Sequence, residues 1–132
     1  MKLQSLLVRI SLGTVLAFFL CGMGGSRAAA ATPAWEQAKI DKLEHACHLL
    51  QHADVDYKGH RAEAVIAIKK AAKILGVEFH EKVHPGETQW LSDRRLREAK
   101  RLLQDLVVEG KGAEQPHIQR AIKEIDKALE VK

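Results

Sequence analysis

The chain is 132 residues long, with 21 Lys and Arg against 17 Asp and Glu and 2 cysteines. That length confines it to one small domain with a modest core, and the cysteine count excludes a disulfide framework. Its basic surplus lies almost wholly in the first 31 residues, so the remainder is close to neutral and a nucleic-acid partner loses its electrostatic support.

Residues 1–31 read as a cleaved secretory signal peptide. Lys2 and Arg9 open it, Ile10 to Leu20 is a mostly apolar run, and Ala28 to Ala31 supply small residues, with cleavage expected after Ala30 or Ala31. The apolar run falls short of the roughly 20 residues of a membrane span, and Gly22, Gly24 and Gly25 do not extend it. A lipoprotein anchor on Cys21 is the rival reading, but bulky Leu20 stands where such signals place a small residue. An uncleaved anchor is a weaker third. Cleavage removes Lys2, Arg9 and Arg27 and no acidic residue, leaving 18 basic against 17 acidic side chains, formally +1. The expected compartment is periplasmic or secreted, with no stable membrane span after cleavage. Only Cys47 survives processing, so packed helices must supply the stability.

Residues 32–132 contain one unit written twice. Leu43-Glu-His-Ala-Cys-His-Leu-Leu-Gln51 and Leu96-Arg-Glu-Ala-Lys-Arg-Leu-Leu-Gln104 both read L-x-x-A-x-x-L-L-Q, at an offset of 53. Ala67-Ile-Lys-Lys-Ala-Ala-Lys-Ile-Leu75 and Ala121-Ile-Lys-Glu-Ile-Asp-Lys-Ala-Leu129 both read A-I-K-x-x-x-K-x-L, at an offset of 54. Such similarity indicates a duplicated helical hairpin: hairpin 1 over about 34–76, a linker over about 77–89, and hairpin 2 over about 90–132.

In the first helix Ile40, Leu43, Cys47 and Leu50 recur at helical steps, with Ala46 and Ala53 beside them. Ala64, Ile68, Ala71 and Leu75 mark the second. Leu96, Ala99, Leu103, Leu106 and Val107 mark the third, and Ile118, Ile122, Ile125 and Leu129 the fourth. Gly59 and the Gly110-Lys111-Gly112 run place the turns inside the hairpins, and Gly76 ends the second helix. Ser92 and Asp93 are candidate caps of the third helix, and Pro116 suits the first turn of the fourth. One hairpin cannot bury its own apolar face. Two stacked hairpins can, so the expected fold is all-α, an up-down-up-down four-helix bundle.

The turn Asp56-Tyr57-Lys58-Gly59-His60-Arg61 leads into Ala64-Val65-Ile66. With L-x-x-A-x-x-L-L it resembles small secreted bacterial proteins built of helical hairpins around a Gly-His-Arg turn, mostly of unassigned function. The resemblance is specific in the first hairpin, since the second has Gly112-Ala113-Glu114 instead. It implies a helical-hairpin fold and export, and no activity. Asp56, Gly59, His60 and Arg61 are the local candidate for a contact surface, with His60 expected to bond Asp56 and fix the turn.

Two histidine clusters invite a metal reading. His45, His48 and His52 share one face of the first helix, turned away from the core, at steps that bring their rings within reach of one another. Neutral imidazoles there suit zinc, copper or nickel. The alternative is an ordinary polar face, and the second repeat places Glu98, Arg101 and Asp105 at the equivalent positions. Residues 80–84 spell His-Glu-x-x-His, the zinc-protease pattern. That chemistry needs both histidines on a rigid helix, yet Gly76 has ended the preceding helix and His84 stands before Pro85, which disfavours helical torsions. The expectation is a linker, with Phe79 and Val83 covering one end of the core. His80 and His84, aided by Glu81 or Glu87, remain a candidate weak surface site.

Cys47 lies on the core side of its helix and reads as a buried inert thiol, the alternatives being a metal ligand or an intermolecular disulfide. Arg94, Arg95, Arg97, Lys100 and Arg101 crowd the third helix. Without interleaved aromatics they read as a solvated face rather than an anion-binding surface. Trp35 and Trp90, at equivalent places in the two repeats, are expected to cap the core at one end of the bundle. The sequence therefore points to a non-enzymatic exported protein acting as a binding or interaction module toward an envelope or extracellular protein partner, without a cofactor. The alternative is a periplasmic metal-binding protein using surface histidines.

Overall fold

The computed structural model describes residues 31–80 and 88–131, so the signal-peptide reading of residues 1–30 lies outside it. Among the described residues the protein is all-helical. There are four helices, α1 (Ala34–His52), α2 (His60–Ile74), α3 (Gln89–Glu109) and α4 (Gln115–Glu130), and no strand. None of the four is long and apolar enough to cross a membrane.

The helix ends follow from local chemistry. Gly59 and Gly76 both take left-handed backbone, φ 83° and 78°, which costs glycine little. At the end of α2 the Gly76 N–H donates to the Lys73 carbonyl and the Val77 N–H to the Ala72 carbonyl, both at 3.0 Å. This pair of bonds closes a helix as a Schellman motif and satisfies carbonyls that would otherwise lack partners. Pro116 sits in the first turn of α4, as expected. The cap of α3 differs from expectation. Its first residue is Gln89 and its cap Thr88, so Ser92 and Asp93 lie within the helix and turn their side chains to the α1–α2 connection.

The core draws on all four helices. The two repeats bury equivalent positions: Leu43 with Leu96, Ala46 with Ala99 and Leu50 with Leu103, all wholly buried, then Ala67 with Ala121 and Ala71 with Ile125. Alanines at many of these places let the helix axes approach closely. Tyr57, Val65, Leu102 and Ala128 complete the interior at positions the periodicity had not singled out.

The packing order is α1–α2–α4–α3 and back to α1, while α2 and α3 do not pack on each other. Cross-helix bonds set the directions. Lys42, at the middle of α1, holds Glu109 at the end of α3 at 2.8 Å, and the Asp54 N–H just beyond α1 donates to Ser92 Oγ near the start of α3 at 2.9 Å. His60 and Glu63 of α2 meet Glu124 and Arg120 of α4 in reversed order. Arg61 reaches back to Leu50, and Gln115 to Leu106. Each packed pair is therefore antiparallel. It follows that α2 and α3 run the same way, which corrects the up-down-up-down expectation. α2 ends at one pole and α3 begins at the other, about 22 Å away for a 15-residue helix. Fourteen residues separate the two ends, and their extended reach of about 46 Å is ample for a return to the far pole. Residues 77–80 begin that return along α1, beside Glu44, Cys47, His48 and Gln51.

Candidate functional site

The returning segment brings together two groups of residues that are far apart in sequence. Val77 and Phe79 are half-buried while Glu78 and His80 are exposed, the alternation of an extended chain lying on a surface. Phe79 packs against the core beside α1 rather than covering an end of it. Between this segment and α1 lies a groove of about 320 Å³, lined by Glu44, Cys47, His48 and Gln51 on one wall and Glu78, Phe79 and His80 on the other. The Gln51 amide lies 3.5 Å from the His80 carbonyl.

His45 and His48 are exposed and His52 half-buried. The rings of His48 and His52, one helical turn apart, have centroids 4.1 Å apart and are tilted by 50°. His45 lines a separate shallow hollow with Asp41, Glu44 and His48. Among the described residues no three His, Cys, Asp or Glu side chains are arranged to hold a metal ion, so the three-histidine stripe is not an assembled centre. His84, Glu81 and Glu87 lie outside the described residues, and with them most of the His-Glu-x-x-His stretch. Cys47 is 2% exposed, as its place on the core side of α1 implied.

The Gly-His-Arg turn is occupied by fold-building contacts. His60 bonds not Asp56 but Glu124 of α4, Nδ1 to Oε2 at 2.8 Å. Asp56 is exposed. The other oxygen of Glu124 accepts from Lys127 Nζ at 2.8 Å. These two bonds, Lys127 first, hold the Glu124 carboxyl below the usual carboxylate range. Arg61 donates from Nη1 to the Leu50 carbonyl at 2.9 Å, placing positive charge at the end of α1 where the helix dipole favours it. Beside the turn, the Tyr57 hydroxyl donates to Asp93 Oδ1 at 2.9 Å. Burial, then the bond to Asp93 and its charge, push the phenol well above its usual range. At the other pole Glu114, 3% exposed, pairs with Lys39 at 2.8 Å. Burial works against the Glu114 charge, but the Lys39 bond and further hydrogen bonds outweigh it and keep the carboxyl below the usual range.

The basic face of α3 is largely paired. Arg101 meets Glu98 at 2.8 Å and Asp105 at 3.3 Å, Arg97 lies 4.0 Å from Asp93, and Lys100 reaches Asp126 of α4. The tryptophans do not cap the core. Trp35 and Trp90 are 63% and 65% exposed, and because α1 and α3 are antiparallel they stand at opposite poles. Lys39 Nζ lies 5.2 Å from the Trp35 ring centre, within cation–π range. An apolar strip runs between α3 and α4 instead: Val107, Val108 and Ile122, edged by Gln104 and Gln119, around a hollow of about 540 Å³. Val108 is 88% exposed.

No protein-family model, curated protein or solved structure matches this chain.

Proposed function

We propose that this is an exported, non-enzymatic protein of a bacterial envelope, periplasmic or secreted. In this reading two helical hairpins form a four-helix bundle in up-down-down-up order, released from a cleaved leader and acting as an interaction module. The observation that carries the binding reading is the α3–α4 strip. Val107, Val108 and Ile122 make a contiguous apolar surface bordered by uncharged Gln104 and Gln119. Contiguous apolar surface with a polar rim marks contact sites more often than single exposed residues do. The functional polar groups elsewhere support the same reading, because His60, Glu124, Tyr57, Asp93, Lys39 and Glu114 are tied into bonds that hold helices together. The resemblance of the Gly59-His60-Arg61 turn to secreted helical-hairpin proteins, and the order of residues 1–31, support export.

The partner is taken to be an envelope or extracellular protein, with neither nucleic acid nor a membrane span involved. A photo-crosslinking side chain placed at Val108, and a control at exposed Lys70 of α2, would be irradiated in living cells. A discrete adduct at Val108, absent at Lys70 and lost when Val107 and Ile122 become Lys, supports the module. No adduct at Val108, or the same adducts at both positions, overturns it. Intact mass of the chain from the envelope fraction tests export: a start at Ala31 or Thr32 is expected, and an unprocessed cytoplasmic chain would refute it.

A further inference from the structure

Two imidazoles of α1 and one of the returning segment lie along the same side of the bundle. His48 and His52 lie one turn apart with ring centroids separated by 4.1 Å. His80, on the returning segment, forms the opposite wall of the groove that His48 lines, and Glu44 and Glu78 flank it. We propose that this face takes up one divalent transition-metal ion, with His48 and His52 as the chelating pair and His80 as the third ligand. This goes beyond the interaction reading and uses a different surface.

The geometry suits the chemistry. Imidazole nitrogens bind zinc at about 2.0–2.1 Å, which sets two ligating nitrogens of a tetrahedral site roughly 3.4 Å apart. The ring centres of such a pair stand farther apart than the nitrogens, so the two rings, now 4.1 Å apart on side chains at an i, i+4 spacing, chelate by turning outward about their own side-chain bonds. Neutral imidazole suits zinc, copper and nickel, whereas magnesium and calcium want oxygen ligands. The carboxylates of Glu44 and Glu78 add negative potential without being needed as ligands.

No three ligands are already gathered among the described residues, so the third comes from movement of the His80 side chain across the groove. The ion would then fasten the returning segment to α1. That segment otherwise rests there through Phe79 and the Gln51 contact to the His80 carbonyl, which at 3.5 Å is long for a hydrogen bond. His45 lies in its own hollow and is not a ligand in this arrangement. The site thus differs from a simple stripe of three histidines along α1.

The test is calorimetric titration of the untagged, naturally processed protein with zinc, copper and nickel, on the wild type and on four single variants. The wild type is expected to bind one ion per chain. Two tethered ligands exceed one alone by about 10²–10⁴ in affinity when geometry permits both, so His48→Ala and His52→Ala should each lose about 100-fold or more. His80→Ala should lose less, and His45→Ala nothing. The superhyperfine pattern of bound Cu(II) should count three imidazole nitrogens in the wild type and two in His80→Ala. Because His52 is half-buried, its variant is read only where circular dichroism matches the wild type; exposed His48 keeps the test decisive either way. Absence of saturable binding overturns the proposal, as does undiminished binding in His48→Ala. Equal losses in His45→Ala and His80→Ala would replace it with an α1 stripe.

Discussion

Tyr57 and Glu124 show how single side chains join helices that the sequence keeps far apart. Tyr57 is wholly buried in the α1–α2 connection and its hydroxyl donates to Asp93 of α3. Tyr57→Phe keeps the ring and loses that bond, so it should cost about 1 kcal/mol. Tyr57→Ala adds a cavity and should cost about 3–5 kcal/mol; urea unfolding followed by circular dichroism measures both. Glu124 gives a pH signature. Its folded carboxyl titrates below the ordinary value of about 4.3 because of Lys127 and His60. Its stabilisation is therefore complete above the ordinary value and is lost as pH falls through the lower folded one. Glu124→Gln should be less stable than wild type at neutral pH, with the difference closing in acid below about pH 4. A difference independent of pH would show that the carboxylate charge contributes nothing. None of this was legible in the residues themselves. His60 sat beside Asp56 and invited a local bond, whereas its partner lies 64 residues away and is chosen by the packing of α2 on α4.

At the level of elements, legibility was high where a rule acts locally. The L-x-x-A-x-x-L-L-Q repeat located the buried faces of α1 and α3, because Leu43, Leu50, Leu96 and Leu103 must all leave water on the same helical side. Gly76 closes α2 because the Schellman motif needs left-handed backbone there. A Cβ at Gly76 would meet nothing within 4 Å, so Gly76→Ala isolates the backbone penalty. It should cost about 1–2 kcal/mol, read as a lower urea midpoint with unchanged slope. The path of the connection after α2 was harder. Its signal was present in Val77-Glu78-Phe79-His80, where apolar and polar residues alternate as in a chain laid flat on a surface. Four residues are too few to decide between an extended strap and a turn, and the choice rests on which helix offers a surface for Phe79. The same uncertainty hid the groove, since His80 could be placed beside His48 only once that path was known. The cap of α3 failed for a related reason. Ser92 and Asp93 have capping chemistry, but Thr88 lay within reach to start the helix a turn earlier and free them for α1 and Tyr57.

For the whole molecule, the order of the helices in space is the feature that sequence pattern could not supply. Two hairpins bury the same apolar faces whether the second enters from the near pole or the far one, so periodicity is silent on the choice. The antiparallel pairing of α1 with α3 and of α2 with α4 separates the end of α2 from the start of α3. Spin labels at Ile74 and Trp90 should accordingly report a separation of roughly 20 Å or more, whereas alternating helices would bring the two within about 10 Å. The same reversal carries the tryptophans to opposite poles, each largely in water. Both indoles are thus already hydrated in the native chain, and unfolding gives them little new solvent to meet. Ultraviolet emission should be red in the folded protein and shift only slightly on denaturation. To an ordinary fluorimeter this protein would look half-unfolded while its helices were intact.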